Sequence, residues 1–489
     1  MVLRISAILR KARNIKNCLA PINQIPAESL ALVATFLPRE RDLINATAVC
    51  QQWRAILLSF PRLWCNASGS SSELEAYLER SRSVPIQANL LRPELVVWII
   101  PHTSRLVGLS IWVNDLREFN DFTCPLRFPI PTLHSLEIHT ENLYMNHLEL
   151  PPGIGEDLFL HLKKLCLEGI SSLHGPQTFS HITELFLTMN AGSPRSTYDL
   201  LGTFEQLPGL EKIHAVFRSS WYPEINPAGT LTLPCVQELC LSAPGDNGDN
   251  ISRAIPPILR YLKLPNLTSL TVDSRSFLPS DPSILPVASF SEHLPNYFEL
   301  PEVRIDTTMS SGKITFRSPS QAVITFHTGA LARYKRECRL WGDLPVSSVR
   351  RATAVLADPD FGREDRWLAD MLMELSPLEL LDLGGNCGWV LRRLRRRMAG
   401  AMLIRIQTLI VRGGVYAMSQ ASKLESAKDD LRLQNMTVTY IQDLEAQEWI
   451  VQDPDAESSS DEEIWDEDPD SSTDGSIEDD ESDEGESDE

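Results

Sequence analysis

The feature that most constrains the fold is a short apolar pattern that recurs at near-regular spacing. The pattern is L-x-x-L-x-L, with other apolar residues allowed for Leu. It begins at Leu106, Leu133, Leu162, Ile182, Leu210, Val236 and Leu267, so successive starts lie 27, 29, 20, 28, 26 and 31 residues apart. Each unit provides one short strand that cannot bury its inward Leu positions alone. The units are therefore predicted to stack into a curved solenoid.

This spacing is similar to that of irregular leucine-rich repeats. Regular matches return late in the chain, fully at Leu378-x-x-Leu381-x-Leu383-x-x-Asn386 and more weakly at Ile406-x-x-Leu409-x-Val411. Helical patterns at Arg363–Leu375 and Trp389–Met402 fit the helices of a convex side. The predicted fold class is α/β, and residues 84–450 are assigned to a leucine-rich-repeat-like domain.

The repeat pattern breaks between about residues 274 and 376. A Pro- and Ser-rich stretch there is followed by three alternating segments, Val303–Ile305, Ile314–Phe316 and Val323–Phe326, which predict strands. Distorted repeats and an inserted meander are both compatible with this pattern.

The residue between the two inward positions of each L-x-L strand must point to the opposite face of the sheet. In a solenoid that face is concave and is the usual binding surface. The candidate substrate-binding residues on it are Ser110, Glu137, Cys166, Phe186, His214, Cys240, Thr271 and Asp382. This mixed and modestly apolar set favours a protein ligand over a nucleic acid.

Residues 23–64 predict a group of short helices. Leu30, Val33 and Leu37 recur at helical spacing after Pro26, and Pro38 ends that helix. A second helical stretch follows, and Pro61 ends it. A unit of this size is marginally stable by itself and needs a partner or a neighbouring domain.

The same stretch resembles the F-box motif. The matching positions are Ile25-Pro26 for the usual Leu-Pro, then Glu28, Leu30, Phe36-Leu37, Asp42-Leu43, Val49-Cys50 and Trp53-Arg54. Pro61-Arg62-Leu63-Trp64 follows as it commonly does after fungal F-boxes. The resemblance implies docking on a Skp-type adaptor of a cullin–RING ubiquitin ligase. The docking residues it implies are Ile25, Pro26, Leu30, Val33, Leu37, Leu43, Val49 and Trp53.

Charge is concentrated at the carboxyl end of the chain. Residues 453–489 hold 20 of the 66 acids and no Lys or Arg, which leaves 66 − 20 = 46 acids against 45 bases elsewhere. Residues 451–489 are therefore predicted to be a disordered acidic tail. The balanced remainder disfavours a nucleic-acid-binding protein. The basic run Arg392–Arg397 has two interpretations, a solvated helix face or a contact with a phosphate or an acidic partner.

Catalysis finds little support in the sequence. Residues 378–394 resemble the Gly-rich cofactor loop of S-adenosylmethionine-dependent methyltransferases, but the next apolar strand ends in Arg412-Gly413-Gly414 instead of an acidic residue. His134, His139 and His147 are not spaced as metal ligands. No P-loop, nucleophile elbow or CxxC pair occurs. We therefore expect no enzymatic activity, no cofactor and no metal.

Targeting features are also weak. The longest strongly apolar run, Leu95–Ile100, is far shorter than a membrane-spanning helix, so no membrane association is expected. The nine Cys are scattered, which favours a reducing compartment, cytoplasmic or nuclear.

Five segments follow from these patterns, and one function is implied by the resemblance to an F-box. They are a flexible basic leader at 1–20, an F-box helical domain at 21–65, a linker helix at 66–83, the repeat domain at 84–450 and the tail at 451–489. The predicted function is a substrate-recognition adaptor of a Skp–cullin–F-box ubiquitin ligase, with a protein substrate bound by the repeats. The alternative is a repeat-based interaction scaffold outside a ligase, and a remote one is the methyltransferase.

Overall fold

The fold was examined in a computed structural model. It describes residues 20–37, 40–114, 130–140, 147–149, 160–169, 172–174, 179–189, 197–217, 230–243, 258–259, 261–274, 300–307, 311–329, 348–356, 378–385, 387–388, 390–392, 406–413, 415–426 and 437–442, with a few isolated positions besides. The residues predicted to form the tail, almost all of the leader, the predicted helix Arg363–Leu375 and Arg393–Arg397 lie outside these ranges.

The described chain is mixed α/β, with a parallel, solenoid-like arrangement of repeats. Its strands before the predicted irregular region are β1 Asn66–Ser68, β2 Ile86–Leu90, β3 Leu106–Trp112, β4 Ser135–His139, β5 His147–Glu149, β6 Lys164–Glu168, β7 Ser172–His174, β8 Glu184–Met189, β9 Lys212–Phe217, β10 Leu231–Thr232, β11 Glu238–Ala243, β12 Leu262–Lys263 and β13 Ser269–Ser274. The later strands are β14 Glu302–Thr307, β15 Ser311–Arg317, β16 Val323–Gly329, β17 Arg351–Leu356, β18 Leu380–Gly385, β19 Thr408–Gly413 and β20 Thr437–Gln442.

Sixteen of the strands in the described ranges form one sheet. Their order is β1-β2-β3-β4-β6-β8-β9-β11-β13-β16-β15-β14-β17-β18-β19-β20, and the pairs β5–β7 and β10–β12 lie outside it. From β1 to β13 all neighbours are parallel, as they are from β17 to β20. Parallel neighbours need a crossover between them, which the 20–31-residue repeat provides.

Each predicted repeat produces a strand, which starts two residues after the first apolar position of the pattern except in the first repeat, where β3 starts at Leu106 itself. The first apolar position is buried just before the strand, as for Leu162 and Leu210. The second and third apolar positions lie within the strand, and their side chains point into the core. In β8, for example, Leu185 and Leu187 are fully buried while Phe186 between them is half-buried on the other side. The period-2 alternation of the sequence thus fixes which face of the sheet forms the core.

The irregular region contains an antiparallel meander. Strands β14, β15 and β16 pair antiparallel with one another, and β16 joins the sheet beside β13 in parallel orientation. Their order in the sheet is reversed, so β14, the first in sequence, is the one that pairs with β17. Of the two interpretations left open by the sequence, the structure has the inserted meander.

In the part of the chain that the structure describes, most helices lie toward the amino-terminal end. The α-helices are α1 Ala27–Ala34, α2 Glu40–Thr47, α3 Gln51–Ser59, α4 Ser71–Arg80, α5 Val96–Ile99, α6 Thr197–Glu205 and α7 Val415–Ser426. Short 3-10 segments at Pro21–Gln24 and Pro61–Trp64 flank α1–α3. Helix α4 begins with a capping box, in which the Ser70 backbone N–H donates to Glu73 Oε2 at 2.8 Å.

The amino-terminal helices and the sheet share one hydrophobic core. Leu43 and Leu57 belong to the same buried cluster as the inward residues of the strands. Trp64 is fully buried. Its ring centroid lies 5.1 Å from that of Tyr77 of α4, and the two rings meet edge to face. The sheet also begins one strand earlier than the sequence indicated, because β1 pairs with β2. None of the helices in the described ranges has the length and apolar character needed to cross a bilayer.

Candidate binding surfaces

The three amino-terminal helices are held together by hydrogen bonds as well as by their core. The Trp53 indole Nε1–H donates to Asn23 Oδ1 at 2.6 Å, and Gln52 Nε2 donates to the Asn23 carbonyl oxygen at 2.8 Å. Arg54 Nε donates to the Thr47 carbonyl oxygen at 3.0 Å, which ties the start of α3 to the end of α2. The 3-10 segment before α1 is thereby fixed against α3.

Besides Ile22 of the 3-10 segment, which is 51% exposed, four large apolar side chains of this unit face solvent. Their exposed fractions are 61% for Leu32, 55% for Val33, 78% for Phe36 and 61% for Val49. Leu32 and Val33 lie in α1, and Phe36 lies in the turn that follows it. We call these four residues the exposed apolar set. Single exposed apolar residues are ordinary, but a group in one short unit indicates an interaction site.

The eight predicted docking residues divide into three groups. Leu30 and Leu43 are buried; Ile25, Leu37 and Trp53 are half-buried; Pro26, Val33 and Val49 are exposed. The buried pair contributes to the core, and the Trp53 indole ties α3 to Asn23. The docking residues implied by the resemblance include neither Leu32 nor Phe36, although Phe36 is one of the positions that match the motif.

A second surface is the sheet face opposite the core, which we call the open face. All eight residues predicted to line the binding surface fall in a single row across it. The strand register aligns Ser110, Glu137, Cys166, Phe186, His214, Cys240 and Thr271, then continues through Thr325, Thr315, Arg304 and Thr353 to Asp382. Each of the eight is half-buried.

The end of the open face nearest the helices carries a charged network around His139. The imidazole stacks on Trp112, with ring centroids 4.8 Å apart, and its Nδ1 lies 2.7 Å from Glu168 Oε2. Its Nε2 lies 3.8 Å from Glu137 Oε2, and Lys164 Nζ donates to Glu137 Oε1 at 2.6 Å. The carboxylates of Glu137 and Glu168 raise the pKa of His139, while His139 and Lys164 lower the pKa of Glu137 to about 2.

The middle of the open face is neutral. The rings of Phe186 and His214 lie 5.6 Å apart between centroids, tilted by 58°. Burial lowers the pKa of His214 and raises the pKa of the thiols of Cys166 and Cys240 to about 11. These thiols therefore stay protonated near pH 7 and act as small apolar groups. In the described ranges, no three His, Cys, Asp or Glu side chains are grouped closely enough to hold a metal ion.

The Gly-rich segment that resembled a cofactor loop has a structural reason for its glycines. Gly385 ends β18 with a φ of +70°, and a Cβ on it would lie 2.1 Å from the Leu356 carbonyl oxygen of β17. The close approach is thus to the neighbouring strand. Arg412 of β19 donates from Nε and Nη2 to the Asp382 carboxylate, at 2.9 and 3.0 Å.

The two histidines of the open face should titrate in opposite directions from the ordinary value of about 6.5. His139 retains its proton above pH 6.5 because two carboxylates face it, whereas His214 loses its proton below that pH because burial disfavours the cation. We expect NMR titration of the ring resonances to show this separation, with His139→Gln and His214→Gln used for assignment. Glu168→Gln should lower the pKa of His139 and leave that of His214 unchanged; identical titration of both rings would contradict the geometry.

Comparison with known proteins does not identify this chain. No protein-family model matches it, and no curated protein matches it either. The function must therefore be argued from the two surfaces.

Proposed function

We propose that the protein is a substrate-recognition adaptor of a Skp–cullin–F-box ubiquitin ligase. In this proposal the amino-terminal helices are an F-box that docks on a Skp-type adaptor. The sheet is an irregular leucine-rich-repeat solenoid whose open face holds a protein substrate. The chain itself performs no chemistry, and its contribution is to raise the local concentration of substrate beside the catalytic subunits.

The observation that carries the docking half is the exposed apolar set within the stretch that resembles an F-box. Leu32, Val33, Phe36 and Val49 are each more than half exposed. Covering such side chains gains roughly 25 cal/mol for each Å² of apolar surface removed from water, so a partner that covers them is favoured. The helices behind them are fixed to the sheet through Trp64, so a docked adaptor would be held rigidly relative to the open face.

The substrate half rests on the open face. A row of half-buried side chains on consecutive strands offers a continuous surface along the solenoid, which is how repeat proteins bind extended partners. Aromatic and neutral groups in its middle, with charges around them, suit a protein ligand.

Val33→Asp should abolish binding to a purified Skp-type adaptor. A carboxylate placed in an apolar interface loses its hydration without gaining a partner, so we expect affinity to fall at least about tenfold. Phe36→Asp should act in the same way. Pull-down with the full-length chain, followed by calorimetric titration of the adaptor, measures the effect.

Val97→Asp is the matched control. Val97 is also helical and is 55% exposed, the same fraction as Val33, but it lies on α5 outside the F-box-like stretch. Adaptor binding should survive this change. Full binding by Val33→Asp, or equal loss by Val97→Asp, would refute the docking assignment. Binding of the adaptor without co-purifying cullin would instead favour the scaffold outside a ligase.

A further inference from the structure

The charges on the open face are segregated along the sheet. On β4–β13 the register places five acidic residues on this face, Glu137, Glu168, Glu184, Glu238 and Asp273, against two lysines, Lys164 and Lys212. Among the side chains that the structure describes on β14–β20, it places five basic residues, Arg304, Lys313, Arg317, Arg351 and Arg412, against Glu302 and Asp382. The half of the face nearer the F-box-like helices is therefore acidic, and the other half is basic.

Within the acidic half, two carboxylates in one row flank the neutral centre. Glu168 and Asp273 are joined in register through Thr188, Val216 and Ser242. Asp273 accepts a hydrogen bond from the Ser242 hydroxyl at 3.2 Å, and none of the described lysines or arginines forms an ion pair with it. Phe186 and His214 occupy the adjacent row between the two carboxylates.

The spacing of these groups sets the length of a ligand that would meet them together. Four strand-to-strand steps separate Glu168 from Asp273, or about 19 Å at about 4.8 Å per step. An extended peptide advances about 3.3 Å per residue, so the two carboxylates are about six residues apart along it. The Phe186–His214 pair is centred one and a half steps from Glu168, about 7 Å, so it faces a side chain about two residues along the peptide, on the same side as those that meet the carboxylates.

We propose that strands β4–β13 bind an extended peptide segment that carries basic side chains about six residues apart and an apolar side chain two residues from one of them, so that all three side chains face the sheet. This inference rests on the proposed function, because it gives the substrate class that the open face would select. The basic groups pair with Glu168 and Asp273, and the apolar group packs on Phe186 and His214. Like-charge repulsion disfavours an acidic segment here.

Fluorescence anisotropy with three labelled peptides tests the proposal on the full-length chain. The probe is Arg-Ser-Leu-Gly-Ser-Gly-Arg, in which the Leu lies on the same side as both Arg, and the controls replace both Arg by Glu or the Leu by Ser. At low salt we expect saturable binding of the probe, at least tenfold weaker binding of the Glu peptide and severalfold weaker binding of the Ser peptide. Raising the salt concentration should weaken probe binding, because exposed charge pairs are screened.

Two variants locate the site. Asp273→Asn should weaken probe binding threefold to tenfold, and Phe186→Ala at least fivefold. Glu302→Gln, which removes a carboxylate from the basic half, should leave probe binding unchanged. Equal affinity for the Arg and Glu peptides, no saturable binding, or an Asp273→Asn variant that binds normally would each overturn the proposal.

Adaptor binding is measured separately, so the two proposals can fail separately. A chain that binds the adaptor but not the probe keeps the proposed function and loses only the substrate class. If the chain binds the probe but Val33→Asp does not weaken adaptor binding, the open face remains a peptide-binding surface and the docking assignment is lost.

Discussion

Trp64→Ala should detach the amino-terminal helices from the sheet. The indole is fully buried, packs edge-on against Tyr77 and lies under the Arg80 guanidinium at 4.4 Å from its ring centroid. Its Nε1–H donates to the Leu57 carbonyl oxygen at 3.0 Å, within the last turn of α3. Truncation of a buried Trp to Ala costs about 3–5 kcal/mol. We expect that loss in the free energy of unfolding, measured by urea titration.

The effect should be largest in the helices. Because Trp64 connects α3 to α4, amides of residues 51–59 should exchange with deuterium much faster in Trp64→Ala, while those of β8 and β9 keep most of their protection. Adaptor binding should fall with the loss of this support, although Trp64 itself is buried and cannot meet the adaptor.

Two other variants separate the contributions of this side chain. Trp64→Phe keeps an aromatic ring but leaves the Leu57 carbonyl without its donor, so a loss of roughly 1–3 kcal/mol is expected from the unmade hydrogen bond and the smaller ring. Trp98→Ala, at a Trp that is 37% exposed, should cost clearly less than Trp64→Ala. Similar losses at Trp64 and Trp98 would show that Trp64 does not link the helices to the sheet.

The part of the fold that the sequence predicts best is the parallel strands. Alternation in L-x-L decides the face of each side chain, so it predicts that Glu137 and Asp382 lie on one face of the sheet although 245 positions (382 − 137) separate them. That they also lie in one row is a finding of the structure, because the row depends on the strand pairing between them.

The meander shows where such reasoning ends. The strands around Val303, Ile314 and Val323 were predicted individually, but their pairing was not. Antiparallel and parallel neighbours show the same alternation, so the choice depends on the turns and on which edge of the sheet is open when each strand docks. No local sequence pattern predicts that β14, the first of the three strands, pairs with β17.

The F-box-like helices present a different difficulty. Their apolar residues cover more than one side of each helix, so helical spacing does not show which side faces the core and which faces solvent. Packing against a neighbouring helix, α3, decides which side is covered: Leu30 is buried and Val33 is 55% exposed, although both fit the same helical pattern. The sequence likewise gave no reason to treat Trp64 as the connection between helices and sheet.

Gly385→Ala should be one of the most damaging single-methyl additions in the repeat region. A non-glycine residue in the left-handed region costs about 1–2 kcal/mol. In addition, the new Cβ would lie 2.1 Å from the Leu356 carbonyl oxygen, a distance that forces β17 and β18 apart. Such overpacking typically adds about 1–3 kcal/mol. We expect a loss of roughly 2–5 kcal/mol in the free energy of unfolding, measured by urea titration.

Gly384→Ala provides a control at the adjacent residue. A Cβ there would meet its nearest atom, the Ala354 carbonyl oxygen, at 3.8 Å, which is ordinary contact. Gly384 lies within a strand, where a Cβ reduces the entropy lost on folding, so stability should change by less than about 1 kcal/mol.

This pair of substitutions also tests why the segment is rich in glycine. If the close approach of β17 is the reason for the glycines, only the substitution at Gly385 should lower the free energy of unfolding, and it should do so without any ligand present. Equal tolerance of both substitutions would remove that reason, and titration of both variants with S-adenosylmethionine would then be the next measurement.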